Sequence, residues 1–517
     1  MSCIAKDGEK GPSTLRFGVS KLSLMGHDAS CPKRMEVTSI FILFVVIFLI
    51  TLIQLVFLGS VIFLENRDPT KTIIWLLILG SLPVLGALLY LLLGRVVRKH
   101  QLSRHTQVRQ EQTEEILKER QVRPKEEDID QVGTISMNKK LARLLLKDAA
   151  APLTLNNRSE VLTNGQDTFK ALFAALEGAK GHIHLEFYIF HNDAIGRDIL
   201  NLLIRKASEG VKVRVLVDGL GNSSIKKRFD ELRKAGVEAK GFYPVRFPFL
   251  SRRLNLRNHR KIVVVDGRIG FLGGLNVGDE YLSRNKEIGF WRDTFLKLEG
   301  DSVNFLQAVF LNDWNGVTQQ DLNDPLYYPQ SQYLGVQMTQ IAATGPDSDW
   351  GSMLQIFFVA LTSAEKTIYI ETPYFIPDEG SVMALKTAAL SGLDVRIILQ
   401  GVPDHKITYW ASHSYVEELL ESGVRIYRYQ KGVLHAKVLI LDGEIGVVGS
   451  TNFDIRSFSL NFEISAFIYD NKFAQRLEHD FQEDLACSAE LVLEEYRKRP
   501  LLNRIKESSA RLFSPLL

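Results

Sequence analysis

Residues 258–276 read NHRKIVVVDGRIGFLGGLN, and residues 434–452 read LHAKVLILDGEIGVVGSTN. Both stretches carry histidine, lysine, aspartate and asparagine at identical offsets, with a pair of small residues shortly before the asparagine. A single motif of this length would be weak evidence, but two copies with matching tails do not arise by chance. The pair therefore predicts a duplicated domain.

The similarity extends outward from these motifs along the chain. Residues 182–190 (HIHLEFYIF) match residues 366–375 (KTIYIETPYF), and residues 211–217 match residues 393–399 after an intervening helical pattern. Apolar runs that alternate with helical patterns predict an α/β fold, and we expect largely parallel sheets. Two halves of this size predict two similar domains in a pseudo-two-fold arrangement, with a site at their junction.

The motif itself suggests a local geometry. Histidine and lysine two residues apart on a strand point to the same face, and Asp-Gly is a signal for a two-residue hairpin. Counting back from that turn pairs His259 with Gly274 and His435 with Ser450, two small residues that would leave a substrate pocket beside each imidazole. The motif aspartates, Asp266 and Asp442, then lie at hairpin corners, where we expect a structural role.

The candidate catalytic residues are the histidine, lysine and asparagine of each copy, namely His259, Lys261, Asn276, His435, Lys437 and Asn452. A nucleophilic imidazole needs an acceptor on its other ring nitrogen. Asp293 and Glu463, on downstream strands, are the preferred imidazole-orienting carboxylates, and Glu287 in a polar run ranks lower. A lysine beside each histidine repels a cation, so we expect no metal and no other cofactor.

Composition narrows the class of protein. The 517 residues include 63 basic and 60 acidic side chains, and a net charge of +3 does not favour nucleic acid as a partner. Three cysteines, Cys3, Cys31 and Cys487, provide neither a disulfide framework nor a metal-binding spacing. This cysteine usage suits a reducing, cytoplasmic compartment.

Two apolar segments near the start predict a transmembrane hairpin. Residues 37–64 and 72–93 contain no charged side chain, and a short charged loop separates them. The first segment is long enough to cross a bilayer. Basic residues flank the pair on both outer sides. The positive-inside rule then predicts a multi-pass protein of the cell membrane whose catalytic part and both termini are cytoplasmic.

The expected organisation is a tail at 1–36, transmembrane helices at 37–64 and 72–93, a charged connector at 94–135, repeats at 136–330 and 331–487, and a basic amphipathic tail at 488–517. An arginine-rich aromatic loop at 242–257 either dips into lipid headgroups or packs at a domain interface. The final tail either lies along the bilayer or caps the second repeat.

The motifs resemble those of the phospholipase D superfamily, H-x-K-x(4)-D followed by G-G/S-x-N. More narrowly, the chain is similar to the bacterial cardiolipin synthases in its two-helix anchor, in ENRDPTKT at 65–72 and in ETPYFIPD at 371–378. The resemblance covers nearly the whole chain from about residue 37. It implies two phospholipase D-type domains behind the membrane hairpin.

The resemblance also implies a reaction, in which two phosphatidylglycerol molecules give cardiolipin and glycerol through a phosphohistidine. By similarity His259 is the nucleophile and His435 the acid and base, although the near symmetry of the repeats leaves the reverse assignment open. Phosphatidylglycerol and cardiolipin in the membrane are the expected partners. The alternatives are another phosphatidyltransferase such as a phosphatidylserine synthase, a hydrolytic phospholipase D, or a non-catalytic membrane scaffold.

Overall fold

The computed structural model describes residues 32–63, 69–90, 139–243, 256–330, 332–346 and 352–517. These residues belong to two compact units, Met1–Arg95 and Val96–Leu517. Most of the predicted N-terminal tail and the whole of the predicted connector at 94–135 lie outside the described residues.

The described residues of the first unit form the helices α1 (Pro32–Phe63), α2 (Pro69–Ser81) and α3 (Pro83–Leu89). Within α1, the stretch Ser39–Ile62 is long and apolar enough to cross a membrane, and it is the only such helix among the described residues. Both shorter helices pack against α1, around an apolar cluster of Val61, Leu79 and Tyr90.

The second predicted span is therefore two short helices instead of one. Pro83 has no backbone N–H, so the carbonyl of Leu79 four residues earlier lacks its usual helical donor. The side-chain amide of Gln54 in α1 donates to that carbonyl at 2.8 Å. A polar side chain within an apolar helix thus satisfies the group that the proline leaves unpaired, as an apolar environment requires.

The second unit is mixed α/β. Its helices are α4 (Lys139–Asp148), α5 (Asn164–Gly178), α6 (Ala194–Ser208), α7 (Ser223–Lys226), α8 (Phe229–Lys234), α9 (Ser302–Thr318), α10 (Ser352–Ser363), α11 (Glu379–Leu390), α12 (Lys406–His413), α13 (Val416–Leu420), α14 (Ile455–Ser459), α15 (Asn471–Ala486), α16 (Leu493–Arg497) and α17 (Leu501–Arg511).

The strands of the first half are β1 (Asn157–Thr163), β2 (His182–Phe187), β3 (Lys212–Asp218), β4 (Glu238–Phe242), β5 (Arg257–Asn258), β6 (Ile262–Val265), β7 (Ile269–Gly273), β8 (Phe290–Arg292) and β9 (Thr294–Gly300). Those of the second half are β10 (Met338–Thr344), β11 (Thr367–Thr372), β12 (Phe375–Ile376), β13 (Asp394–Gln400), β14 (Arg425–Tyr429), β15 (Gly432–Leu434), β16 (Val438–Leu441), β17 (Ile445–Gly449), β18 (Phe453–Asp454), β19 (Asn461–Tyr469) and β20 (Ser488–Glu490).

The two main sheets have the same strand order. The first runs β1-β9-β7-β6-β2-β3-β4, and the second runs β10-β19-β17-β16-β11-β13-β14 with β20 added at its edge. In the first sheet only β2, β3 and β4 are parallel, and the motif hairpin β6–β7 joins them antiparallel. The expectation of largely parallel sheets is wrong, because each motif forms a hairpin of its own within the sheet.

Short strands are exchanged between the halves. β5, just before the first motif, pairs with the start of β19 in the second half. β15, just before the second motif, pairs with β8 in the first half. An apolar cluster that includes Ile262 and Val264 from one sheet and Ile398 and Ile440 from the other fills the space between them. The predicted α/β fold with two similar halves is confirmed, and both motifs are carried to the junction.

The arginine-rich aromatic loop at 242–257 is buried at both ends. Phe242 is only 3% exposed, and Arg257 is 5% exposed with its guanidinium bound to Asp218 at 3.0 Å. Residues 244–255 lie outside the described residues. Both described ends of this loop are thus packed within the protein, as the domain-interface alternative expects.

Candidate active site

β5 delivers the first motif histidine into the second half. The backbone N–H of His259 donates to Phe462 O at 2.9 Å, which fixes the residue at the start of β19. Its Nδ1 lies 3.0 Å from Glu463 Oε2. An ionised carboxylate can only accept, so Nδ1 carries the ring proton and Nε2 keeps a free lone pair.

The second histidine repeats this arrangement in the opposite direction. The backbone N–H of His435 donates to Arg292 O at 2.7 Å, and Nδ1 lies 2.8 Å from Asp293 Oδ2. Each imidazole is therefore bound by the carboxylate of the other half. Neither half supplies both members of either motif histidine–carboxylate pair.

Both carboxylates are fully buried and have further donors. Glu463 accepts from Ser450 Oγ at 2.5 Å and from Asn461 Nδ2 at 3.2 Å, and Asp293 accepts from the N–H of Thr294 at 2.9 Å. Burial alone would raise the pKa of Glu463 and of Asp293. The neighbouring histidines, lysines and hydrogen-bond donors outweigh burial, and both pKa values are lowered. The carboxylates are anionic partners for the imidazoles.

The two motif lysines are buried beside the histidines. Lys261 Nζ donates to His259 O at 2.6 Å, and Lys437 Nζ donates to His435 O at 2.5 Å and lies 2.9 Å from its Nδ1. Burial lowers the pKa of Lys261 well below its usual range, and it lowers the pKa of Lys437 to about 8. The charge of Lys437 contributes to the lowered pKa of Lys261, so the two lysines, from different halves, lie close enough to interact.

Burial also acts on the imidazoles. It lowers the pKa of His259 to about 4 although Glu463 opposes the shift. Burial together with the charge of Lys437 lowers the pKa of His435. At neutral pH the His259 side chain is therefore uncharged, which is the form of imidazole that acts as a nucleophile.

The two motif asparagines have different surroundings. Asn276 Oδ1 accepts from the N–H of Ile189 at 3.1 Å, and its Nδ2 donates to the hydroxyl of Tyr281 at 3.2 Å. Asn452 is also buried, but no donor within the described part of the chain reaches its Oδ1. The asparagine of the first copy is held at both ends of its amide, whereas that of the second keeps hydrogen-bonding capacity.

The motif hairpin contains one residue more than expected. Val265 pairs with Ile269, so the loop has three residues instead of two. Asp266 and Gly267 have φ of +54° and +63°, as in a type I′ turn, and Arg268 N donates to Val265 O. Arg268 is the additional residue that shifts the strand register.

The second copy has the same three-residue loop, with Leu441 opposite Ile445. The register of both hairpins is therefore one residue away from the predicted one, and the predicted pairings of His259 with Gly274 and of His435 with Ser450 are wrong. Both faces of β6 and β16 are buried and apolar, so alternation of side chains could not reveal the register.

The two small residues after each hairpin lie against the carboxylates. A Cβ at Gly274 would come within 2.1 Å of Asp293 Oδ1, so only glycine allows this approach. Ser450 donates to Glu463. These positions adjoin the carboxylates and not open space, which favours a positioning role over the predicted substrate pocket.

Both motif aspartates lie in the hairpin loops and bind backbone on the neighbouring segment. The carboxylate of Asp266 accepts from the N–H groups of Lys180, Gly181 and His182 at 2.7–2.8 Å. Asp442 accepts in the same way from Glu365, Lys366 and Thr367. Each carboxylate fixes the start of a central strand to the motif hairpin.

Several neighbours of the site were not identified from the sequence. Asp218 at the end of β3 accepts from the N–H of Asn258 at 2.9 Å and thereby positions the residue before His259. The ring of Tyr188 lies 4.9 Å from the His259 ring, and that of Trp291 lies 5.1 Å from the His435 ring. Asp218 could have been identified from the sequence, because it is an aspartate at the carboxyl end of a predicted strand.

A loop carboxylate also faces the second motif. Tyr374 donates its hydroxyl to Asp404, and the negative charge of Asp404 partly opposes the lowering of the pKa values of His435 and Lys437 that burial causes. Glu287, the lower-ranked candidate, is exposed and its N–H binds Asn285 in a loop. Among the described residues, no three histidine, cysteine, aspartate or glutamate side chains converge to hold a metal ion.

Comparison with known families gives two matches. A family described as cardiolipin synthase, PLD-like domain, matches residues 172–314 and 358–485. A family described as phospholipase D-nuclease N-terminal matches residues 40–95. The two segments matched by the first family fall within the two halves of the second unit.

Similar proteins match over most of the chain. A cardiolipin synthase from Geobacillus sp. (strain WCH70) is 47% identical over 467 residues, which is 90% of this chain and 92% of that protein. The cardiolipin synthase of Staphylococcus aureus (strain Mu50) is 41% identical over 90% of this chain and 95% of its own length. A crystal structure of phosphatidylserine synthase from Haemophilus influenzae Rd KW20 aligns with a TM-score of 0.59 at 15% identity, covering 73% of this chain and all of the other. That structure supports the fold alone.

Proposed function

Because the chain belongs to the cardiolipin synthase family with phospholipase D-like domains, we propose that it joins two phosphatidylglycerol molecules to give cardiolipin and glycerol. It is a phosphatidyltransferase. The observation that carries the proposed mechanism is the pair of imidazoles whose Nδ1 atoms each bind a buried carboxylate from the opposite half.

In the first step His259 Nε2 attacks the phosphorus of one phosphatidylglycerol. A P–N bond forms, the P–O bond to the headgroup glycerol breaks, and His435 donates a proton to the leaving oxygen. Glu463 stabilises the positive charge that develops on the His259 ring. The products of this step are free glycerol and a phosphatidyl-histidine.

In the second step His435, now neutral, removes the proton from a hydroxyl of the incoming phosphatidylglycerol. That oxygen attacks phosphorus, the P–N bond breaks, and cardiolipin leaves with His259 again neutral. Lys261 and Lys437 offset the charge that builds on the non-bridging phosphate oxygens in both transition states. Asn276 and Asn452 are proposed to donate to the same oxygens.

The lowered pKa of His435 is compatible with its role as an acid. The pKa refers to the site without substrate, where burial and Lys437 disfavour a second positive charge. A phosphodiester anion beside the imidazole favours the protonated form. Substrate binding and proton uptake at His435 are therefore expected to occur together.

The deciding experiment uses the full chain in detergent micelles with phosphatidylglycerol labelled in its acyl chains. Cardiolipin and an equal amount of free glycerol are the expected products. Labelled phosphatidic acid alone would establish hydrolysis, and phosphatidylserine formed only when serine is added would establish that alternative transfer. Variants His259→Ala and His435→Ala should both lose turnover, and absence of any product from the unaltered protein would support the scaffold alternative.

A trapping experiment separates the roles of the two histidines. His435→Ala removes the acid and base but leaves the nucleophile, so labelled lipid should form slowly on His259 and, because its transfer is slowed as well, accumulate there. His259→Ala should leave no label on the protein. Mass spectrometry of the peptides identifies the site, and label on His435 in the His259→Ala variant would reverse the assignment.

We further propose a multi-pass attachment to the cell membrane with both termini in the cytoplasm. α1 has the length and composition of a span, while α2 and α3 together bring the chain back through the apolar layer. The basic residues that flank both ends support this orientation. Cysteines introduced in the loop at 64–68 should react with an impermeant thiol reagent from outside the cell, whereas labelling only in broken cells would contradict the topology.

A further inference from the structure

The final helix of the second unit presents an apolar stripe to solvent. Leu501, Leu502 and Ile505 of α17 are 70%, 61% and 52% exposed, and Leu512 and Phe513 directly after it are 81% and 53% exposed. Positions 501, 505 and 512 fall on one side of a helix. Apolar side chains of this size are usually on the inner face of a surface helix. An exposed apolar stripe therefore indicates a surface that binds another molecule or a membrane.

The orientation of α17 is fixed by polar contacts on its inner face. Glu507, only 3% exposed, accepts from Arg499 Nε at 2.9 Å. Arg511 donates to Ser414 O at 3.1 Å and to Glu418 at 2.9 Å. A rotation that buried the stripe would break these contacts, so the apolar side chains are held outward.

Charge around the stripe indicates what covers it. Residues 497–511 include six arginines and lysines against one glutamate, and that glutamate is buried. In the described part of the chain, neither Arg504 nor Lys506 has a carboxylate within ion-pair distance. Leucine, isoleucine and phenylalanine surrounded by cations are the composition of helices that lie in an anionic headgroup layer.

The position of the stripe relates it to the catalytic residues. α17 packs along α12, and Lys506 lies 5.0 Å from the ring of Trp410 on that helix. α12 begins two residues after Asp404, the loop carboxylate that faces the second motif, and its Ile407 is 59% exposed. α12 thus connects the helix that carries the stripe to the loop that borders the site, and it has an exposed apolar side chain of its own.

We propose that α17 and residues 512–513 lie in the headgroup layer of an anionic bilayer, which gives the catalytic unit a membrane contact of its own. Leu501, Ile505, Leu512 and Phe513 enter the apolar boundary, and Arg504 and Lys506 bind lipid phosphates. The contact holds α12 and the site loop at the depth where phospholipid headgroups are found. This inference does not depend on which phosphatidyl acceptor the enzyme uses.

The test places a fluorophore on single cysteines in the full chain, with Cys3, Cys31 and Cys487 replaced by serine in a form that retains activity. Labelled Ile505→Cys and Leu512→Cys are compared with labelled Leu390→Cys, a residue 73% exposed on α11. All three are reconstituted into vesicles of anionic or zwitterionic lipid that carry bromine in the acyl chains. We expect bromine quenching at 505 and 512 in anionic vesicles and little at 390.

Equal quenching at all three sites, or none at 505 and 512, would overturn the proposal. A change in the fluorescence of the labels at 505 and 512 that depends on protein concentration in detergent would instead assign the stripe to contact with a second copy of the chain. That result would also overturn the proposal. A functional arm uses Ile505→Asp/Leu512→Asp. We expect its KM for phosphatidylglycerol in anionic vesicles to rise about tenfold or more with kcat nearly unchanged, and its activity on a short-chain soluble substrate to match that of the unaltered protein.

Discussion

Glu463 and Asp293 have no exposed surface, yet their pKa values are lowered because each is surrounded by an imidazole, a lysine and hydrogen-bond donors. A buried anion in this position fixes the tautomer of the histidine and stabilises its cationic form. The geometry therefore favours carboxylates that act through the imidazoles and do not touch the substrate.

Replacing Glu463 by glutamine tests this role. The amide keeps the size of the side chain but presents no negative charge to His259 Nδ1, so we expect kcat to fall by about 10²–10⁴-fold. KM should change little, because substrate contacts are unaltered. Steady-state kinetics with phosphatidylglycerol in micelles measures both constants.

Glu287→Gln is the matched control, since Glu287 has the simpler sequence offset from His259 but lies in an exposed loop. Its kcat should stay within about twofold of the unaltered enzyme. A large loss in Glu287→Gln together with a small one in Glu463→Gln would contradict the assignment.

The pKa of Lys437, lowered to about 8, predicts a pH-dependent affinity for anions. The ammonium is present below this pKa and is lost as the pH rises through it. Binding of tungstate, a phosphate mimic whose charge is constant in this range, should weaken above pH 8 by up to about tenfold per pH unit. Lys437→Arg should show a flatter profile, because arginine stays protonated. Affinity that is constant to pH 10 in the unaltered protein would refute the prediction.

All four residues of the two histidine–carboxylate contacts were identified from the sequence, but which carboxylate binds which histidine was not. His259 and Glu463 are 204 residues apart, and His435 and Asp293 are 142 apart. Spacing within one repeat cannot reveal an exchange between repeats. Asp218 and Asp404 were missed because a single carboxylate at a strand end or in a loop resembles an ordinary capping residue.

Among the elements, the motif hairpins carry the site and the aspartates in their loops hold them in place. Asp266 accepts three backbone N–H groups from the turn before β2, and Asp442 does the same before β11. The same contact in both halves supports the structural role expected from the sequence.

Asp266→Ala should destabilise the catalytic unit without removing a reacting group. Loss of hydrogen bonds to a charged acceptor is expected to cost about 2–4 kcal/mol and to lower Tm by several degrees. Residual activity at low temperature should remain near that of the unaltered enzyme. Arg268→Ala, an exposed change in the same loop, should leave Tm almost unchanged, and an inactive but fully stable Asp266→Ala would instead indicate a catalytic role.

Element types were more predictable than their boundaries and register. A hairpin turn at Asp-Gly was predicted, but the extra residue after it was not, because β6 is apolar on both faces. The second apolar segment was predicted as one helix, although Pro83 divides it and Gln54 binds the exposed carbonyl from α1. Such compensation between distant residues is not visible in local sequence.

For the molecule as a whole, two reciprocal strand pairs make the halves interdependent. β5 completes the second half, β15 completes the first, and an apolar cluster spans both sheets. The site is therefore a property of one complete chain.

This arrangement predicts that inactive variants do not complement each other. When purified His259→Ala and His435→Ala proteins are mixed, each chain still lacks one imidazole from its own site, and we expect no recovery of cardiolipin formation. A mixture of His259→Ala with the unaltered protein should show only the activity of the latter. Recovery to about one quarter of normal activity would show that halves exchange between chains.

During protein synthesis, one of the two carboxylates is made before the histidine that it binds, and the other is made after it. Asp293 leaves the ribosome before His435, so that imidazole meets its acceptor as soon as its strand pairs. His259 has to wait for Glu463, which is made 204 residues later. A chain whose synthesis stops between His435 and Glu463 therefore contains both histidines, but the proposed nucleophile has no acceptor. We expect lipid chemistry only in molecules whose translation has passed β19.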